Sequence, residues 1–429
     1  MIQEFSVANF LSYGTRQTIS FEATSDKTCL DELSVEVKSG VRLLKMALIY
    51  GANASGKSNL LFAMEALWEM LFHYTHSSEV RLYKPFKPME GEPSVFEVVF
   101  WADKIKYTYE LSFSRTEVIH EKMQYAPNGV LSLFYERTGA NIVYGSTLNV
   151  LKRDRDVISS SVRKNQTVLS VLQDKNLDNV QFNTIYDWIR RTVNEMNIYD
   201  KAVNIAEEAE TDADLKHFML RILRKADFNI SDFQLIEVSP VQDEILSQIF
   251  ADHEDMPDIV KNAIIDNLKK TLNNRKDVLF THRTANANFN LPVGLESLGT
   301  IRYFLLSRLL YDLTQKESVS MIDEIGDHLH SDLLRHYLET YLRNSNSSQL
   351  IFTTHNQTLL DMDFVRRDMI WFADKSKDSS ATELTCAADY GLHINMSIQN
   401  AYRIGKLGAK PLLGSTALPW TEDRNEDKR

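Results

Sequence analysis

Met46-Ala-Leu-Ile-Tyr50 runs directly into Gly51-Ala-Asn-Ala-Ser-Gly-Lys-Ser58, an apolar stretch that turns into a glycine-framed loop ending in Lys-Ser. Glycine has no Cβ, so Gly51 and Gly56 let the backbone curl until successive N–H groups face inward, where phosphate oxygens are the matching acceptors. Lys57 adds a point charge and Ser58 a hydroxyl suited to Mg2+. A helix expected from about Asn59 turns its positive dipole end toward the anion. The flanks support the reading: the apolar run has the character of a buried strand, and Leu60-Leu-Phe-Ala-Met-Glu-Ala-Leu-Trp68 has helical periodicity. Strand, loop and helix together predict a P-loop, with Gly51, Ala52, Asn53, Ala54, Ser55, Gly56, Lys57, Ser58 and Asn59 as the nucleotide-binding residues.

Composition limits what can surround such a loop. The 429 residues exceed one compact core, and 43% apolar with 25% charged residues is ordinary for a globular protein of two or three lobes. A net charge of -11 argues against wholesale coating of nucleic acid but leaves room for a local basic groove. The two cysteines, Cys29 and Cys386, lie far apart and form no C-x-x-C pair, which encodes neither a disulfide framework nor a zinc hook. Reduced thiols in a cytoplasmic protein are the simplest expectation. The N-terminus lacks a basic, then apolar leader, and no run of about 18 apolar residues predicts a membrane span.

Outward from the loop, Ile2–Val7 alternates as a strand, breaks at Ala8–Gly14 and resumes at Thr18–Glu22, predicting an opening hairpin. Val95–Phe100 and Lys106–Phe113 alternate on either side of Ala102-Asp-Lys104 and predict an antiparallel pair with one buried face. Between about Val157 and Phe280 the texture changes to helical patterns such as Val168–Leu172, Ile185–Ile189 and Phe218–Leu223, separated by polar connectors and the acidic run Glu207–Asp212. The expected organisation is an N-terminal lobe over 1–156, a mainly helical insertion over 157–280 and a second lobe over 281–429. No heptad train is long enough for an extended coiled coil.

Three signals follow the insertion. Glu296-Ser-Leu-Gly-Thr300 opens an apolar helical stretch, which puts a hydroxyl and small-residue N–H groups at a positive dipole end; Ser297 serves equally well as a plain N-cap. Ser318-Val-Ser-Met-Ile-Asp-Glu324 is a short apolar strand ending in two carboxylates. Beside a P-loop, Asp323 is placed to hold the metal and Glu324 to polarise an attacking water. Gln349-Leu-Ile-Phe-Thr-Thr-His355 is a further strand delivering a histidine at its C-terminal end, the edge where open α/β sheets bind ligands. His328 and His330 make a poor chelate, because an i, i+2 pair diverges on a helix and no third ligand is evident.

In this order the hairpin, Gly-Ala-Asn-Ala-Ser-Gly-Lys-Ser-Asn, Glu-Ser-x-Gly-Thr, Asp-Glu and Thr-Thr-His resemble the ABC-type ATPase heads shared by SMC, RecF and OLD proteins. They are most similar to the AAA-15 or RloA group, which includes ATPase subunits of phage-defence pairs such as PARIS; the tail Ala401–Pro411 also resembles that group's ending. The resemblance implies an α/β P-loop NTPase of ABC/SMC-head type, a mixed sheet with an antiparallel β subdomain and a helical insertion. It implies ATP and Mg2+ as ligands, Ser297 and Gly299 as a signature acting on the nucleotide of a second subunit, and His355 as a switch histidine. Lys57, Glu324 and His355 are then the catalytic set, and Ser58 and Asp323 the metal ligands. Gln124, in Glu121-Lys-Met-Gln-Tyr125, is the candidate for the family's metal-binding Q-loop glutamine, although it reads at least as readily as an ordinary strand residue. The signature lacks the transporters' Gly-Gly-Gln, and Asp327-His-Leu-His330 replaces the usual D-loop ending. The implied partners are a second copy in a homodimer or higher homo-oligomer and an effector encoded nearby. The implied function is a sensor of phage infection that holds or releases that effector. The alternatives are a DNA-repair or DNA-loading clamp and an ATP-dependent scaffold with little turnover.

Overall fold

The computed structural model describes residues 1–72, 78–146, 150–172, 180–192, 202–226, 228–237, 276–393 and 395–411. At its centre a five-stranded sheet runs β14-β15-β5-β16-β17, with β5 at Met46–Tyr50, β14 at Val319–Ile322, β15 at Gln349–Thr353, β16 at Ile370–Lys375 and β17 at Thr382–Cys386. β14, β15, β5 and β16 are parallel and β17 closes the edge antiparallel. Every residue of β5, β14 and β15 is buried. That is why these strands read as unbroken apolar runs: both faces of the sheet are covered.

Side chains alternate across a strand, and the two faces of this sheet feed two separate cores. Ala47, Ile49, Val319, Met321, Ile351 and Trp371 join the P-loop helix, Lys57–Phe72, and a neighbouring antiparallel sheet. Met46, Leu48, Tyr50, Ile322, Leu350 and Phe352 join the helices Leu298–Gln315 and Ser331–Asn344 on the opposite side. The sheet is thus the middle layer of three.

The antiparallel sheet has seven strands in the order β10-β9-β8-β7-β6-β1-β2. They are β1 (Ile2–Ala8), β2 (Gln17–Ser20), β6 (Ser94–Ala102), β7 (Ile105–Phe113), β8 (Val118–Ala126), β9 (Ser132–Thr138) and β10 (Asn141–Tyr144). The expected opening hairpin is β1 against β2, and the second is β6 against β7. Asp103 and Lys104 turn the latter with φ of 48° and 65°, the left-handed pair that a type I′ hairpin turn demands and whose twist matches its strands. Gln349 bolts the two sheets together: its Oε1 accepts from Ile2 N at 2.5 Å and its Nε2 donates to Ile2 O at 2.8 Å. A two-stranded ribbon, β3 (Ser34–Lys38) with β4 (Val41–Leu44), leads into β5.

The segment expected as one helical insertion divides between the two cores. Helix Val180–Thr192 lies on the antiparallel sheet, where Trp188 stacks on Phe100 at 4.7 Å and Phe182 meets Phe134 edge-on at 4.8 Å. Helices Ala202–Thr211 and Ala213–Lys225 belong instead to the other core, beside Leu298–Gln315. Nor is the segment wholly helical, since β11 (Ile230–Glu237) pairs with β12 (Lys276–Arg283), which pairs with β13 (Asn288–Pro292). The boundary expected at 280/281 therefore falls inside β12, and that at 156/157 inside helix Lys152–Ser161. Residues 238–275 of the expected insertion lie outside the described residues.

Candidate functional site

The loop 51–58 leaves β5 at the C-terminal edge of the central sheet and enters the helix at Lys57. Gly56 sits at φ +105°, and a Cβ there would collide with Thr382 Oγ1 and Ser12 Oγ; a Cβ on Gly51 would collide with Ala373 O. Both glycines are thus required by close approach of backbone and neighbours. Ala54 adopts φ 62° without being glycine, a conformation of order 1–3 kcal/mol that the surroundings must hold. They do so through contacts the sequence did not announce. Tyr13 Oη donates to Gly56 O at 3.0 Å, and Thr382 Oγ1 lies 2.7 Å from both Ser55 O and Ser12 Oγ. Asn59, expected as a nucleotide contact, donates from Nδ2 to Ser12 Oγ at 2.8 Å and so braces the loop from behind.

The ends of β14 and β15 converge in front of this loop. Lys57 Nζ donates to Gly51 O at 3.0 Å and Ala52 O at 3.2 Å, stands 3.3 Å from His355 Nε2 and 3.9 Å from Glu324 Oε1. His355 Nε2 and Glu324 Oε1 are 3.0 Å apart. Nε2 carries either a lone pair or a proton, so it accepts from Lys57 or donates to Glu324, not both at once. Burial holds the Lys57 ammonium below its ordinary value against the pull of Glu324 and Asp323. Burial also pushes the Glu324 carboxyl up, with Lys57 opposing and Asp323 adding to the rise. His355 is lowered by burial and by the Lys57 charge, which keeps its imidazole neutral at pH 7.

The carboxylate pair is fixed through β15, which lies between β14 and β5. Thr353 Oγ1 donates to Asp323 Oδ1 at 2.5 Å and accepts from Glu324 N at 2.8 Å. Glu324 takes φ 48°, left-handed for a residue with a full side chain. Its carbonyl accepts from Arg302 Nη2 at 2.8 Å, and Asp323 O lies 3.4 Å from the same nitrogen. Thr353 was legible only as a strand residue and Arg302 only as part of an apolar helix.

Ser297 caps that helix: its Oγ accepts from Thr300 N at 3.0 Å. Gly299 packs on the turn after β14, where a Cβ would stand 2.8 Å from His328 O. Around this exposed turn the side chains of Leu295 and Leu298 are 70% and 60% exposed, an apolar surface flanking Ser297 on both sides. Gln124, the candidate Q-loop glutamine, is a strand residue. It lies within β8, paired with Thr108 and Leu133, and β7 and β6 separate that strand from β1 and the turn that braces the P-loop. Strand pairing fixes it in the antiparallel sheet, and neither of its strand partners is Ser58 or Asp323.

The donor set fits a triphosphate with a hard cation. Ser55 Oγ is buried in the loop with no hydrogen-bond partner, the Lys57 ammonium lies on the loop carbonyls of Gly51 and Ala52, and Ser58 and Asp323 carry oxygen donors of the kind Mg2+ prefers.

The family described as "AAA domain, putative AbiEii toxin, Type IV TA system" matches residues 46–361, from the first residue of β5 to just beyond His355. The chain belongs to this AAA-domain family. The match takes in the P-loop, the carboxylate pair and the histidine as one unit, and it makes the chain an ATPase domain of that family. No curated protein matches the chain. Among solved structures, an SMC head bound to the C-winged helix domain of ScpA is 13% identical at a TM-score of 0.41, covering 94% of this chain and 99% of its own. The SMC head domain from Thermotoga maritima is 13% identical at a TM-score of 0.40, covering 90% and 98%. No helix among the described residues of this AAA-domain protein is long and apolar enough to cross a membrane.

Proposed function

We propose that the chain is an ABC-type ATPase whose copies pair around ATP, and that this pairing senses phage infection and controls a partner effector. The observation that carries the catalytic part is the convergence of Lys57 from the start of the P-loop helix with Glu324 and His355 from two strand ends, to within 3.0–3.9 Å of one another. The family's description as a putative toxin of a toxin–antitoxin system is compatible with a defensive role. The exposed Ser297 turn with its apolar flanks supports the pairing, since within one copy its hydroxyl does no more than cap a helix.

In the proposed mechanism the backbone N–H groups of the 51–58 loop and Lys57 bind the phosphates, releasing Lys57 from the carbonyls of Gly51 and Ala52. Ser58 and Asp323 would hold a Mg2+, which when bound would supply charge neutralisation at those phosphates. Glu324, raised by burial, takes a proton from the attacking water; His355 at its side orients it and is the first group to lose its contact when the terminal phosphate leaves. Ser297 and the Gly299 amide of a second copy close over the same phosphate. Mass measurement by light scattering tests the reading. Mg2+ with ATP doubles the mass and ADP does not; an unchanged mass at saturating ATP sinks it.

A second reading, a clamp on DNA, has one observation in its favour. His217, Arg221, Arg224 and Lys225 lie exposed along helix Ala213–Lys225, a basic stripe in a chain of net charge -11. Duplex binding that weakens steeply with salt and is lost in Arg221→Glu favours the clamp over the sensor.

A further inference from the structure

Arg302 stands in the second turn of the helix that follows the signature: Ser297 caps the helix, Leu298-Gly299-Thr300 begin it, and the guanidinium of Arg302 reaches the carbonyl of Glu324 at 2.8 Å. At a rise of about 1.5 Å per residue, Ser297 and Arg302 are about 7–8 Å apart along one rigid element. The same helix start touches the turn after β14 a second time, through Gly299 against His328 O. Glu324 itself is held in a left-handed conformation through its N–H, which donates to Thr353, and through its C=O, which accepts from Arg302 Nη2 and from Asp327 N at 3.1 Å. Thr353 belongs to a buried strand and has nowhere to go. Asp327 lies in the same turn as Glu324, whereas Arg302 belongs to the helix whose N-terminus is exposed, so among these ties it is the one carried by an element that a second copy can reach.

We propose that Arg302 is a positioning residue for Glu324 and the link by which engagement of one copy's Ser297 turn sets the catalytic carboxylate of that same copy. This rests on the paired-copy reading above and deepens it. Each nucleotide is covered by the other copy's signature, and each carboxylate answers to its own copy's signature. Neither site then turns over until both signatures are seated. A strained Glu324 suits such a switch: with the Arg302 tie slack, φ relaxes and the carboxylate leaves His355.

The test uses mixed pairs of full-length chains, one wild type and one Ser297→Glu, purified through two different tags. The Ser297→Glu copy keeps an intact P-loop and faces a wild-type signature. The expected result is turnover below about one tenth of the wild-type pair, because the copy with a good site has an unseated signature. A second variant, Arg302→Ala, is expected to keep ATP affinity within about twofold and to keep the ATP-dependent pair, while kcat falls about tenfold or more and the dependence on ATP loses its cooperativity. Arg302→Lys restores part of kcat, since an ammonium still donates to a carbonyl. Turnover near one half in the mixed pair, or wild-type kcat and cooperativity in Arg302→Ala, overturns the coupling and leaves the pairing intact. Absence of any ATP-dependent pair in the wild type overturns the paired-copy reading itself. Should Arg302→Ala fold poorly, the mixed-pair result decides alone, because it leaves Arg302 untouched.

Discussion

Glu324 concentrates the chemistry of the site in one backbone conformation. Its carboxylate lies 3.0 Å from His355 because its φ of 48° turns it back toward β15, and both its peptide groups are held from outside. Glu324→Gln keeps this geometry and removes the proposed base, so phosphate release should fall about a hundredfold or more while the proposed ATP-bound pair persists. Phosphate release and light scattering on the same sample check it, and undiminished release would remove Glu324 from the mechanism. Lys57→Ala acts a step earlier. The loop loses its only side-chain cation, and fluorescent-nucleotide titration should find no saturable binding.

At the scale of elements, the P-loop is shaped by its neighbours. Thr382 of β17 and Ser12 of the turn after β1 hold it from one side and Tyr13 from beneath. Thr382→Val keeps the shape and removes the hydroxyl, a loss of about 1 kcal/mol that should raise the ATP dissociation constant about fivefold without changing the fold. The strand, the loop and the carboxylate pair were legible because buried parallel strands and phosphate loops leave local patterns in sequence. The brace was not, because Ser12 and Thr382 are separated by 370 positions and each looks like an ordinary hydroxyl residue. The division of the helical segment between two cores was hidden for a related reason: amphipathic periodicity says that a helix has a partner but not which one. A second buried element, Glu121 of β8, accepts from Tyr109 Oη, Tyr135 Oη and Val168 N, with Arg137 Nη1 at 3.6 Å. It thereby anchors helix Val168–Leu172, which packs on the P-loop helix. Burial pushes the Glu121 carboxyl up against the pull of Arg137. A raised acid binds its proton more tightly when folded, so its contribution is present below the unfolded value and is lost as pH rises through the folded one. Urea titrations should show wild type losing stability above pH 4.5 with a slope of at most about 1.4 kcal/mol per pH unit from this group, a slope absent in Glu121→Gln.

On the scale of the whole molecule, the central sheet makes the site a meeting of distant chain segments. β5 pairs with β15 and β16, and β1 is bolted to β15 through Gln349, so the contacts that build the site span some 300 residues and folding should be slow relative to local helical proteins. A polypeptide ending at residue 300 contains the entire Lys57 loop yet none of β14, β15, β16 or β17. Such a fragment should show no nucleotide binding by isothermal titration, and saturable binding would mean that the loop needs no brace. The bond from Thr382 to the P-loop has a consequence for the order of synthesis. On the ribosome the phosphate loop emerges long before the residue that shapes it, so a nascent chain should hold no ATP and offer no half-built partner until Thr382 has been made and has folded back onto the loop.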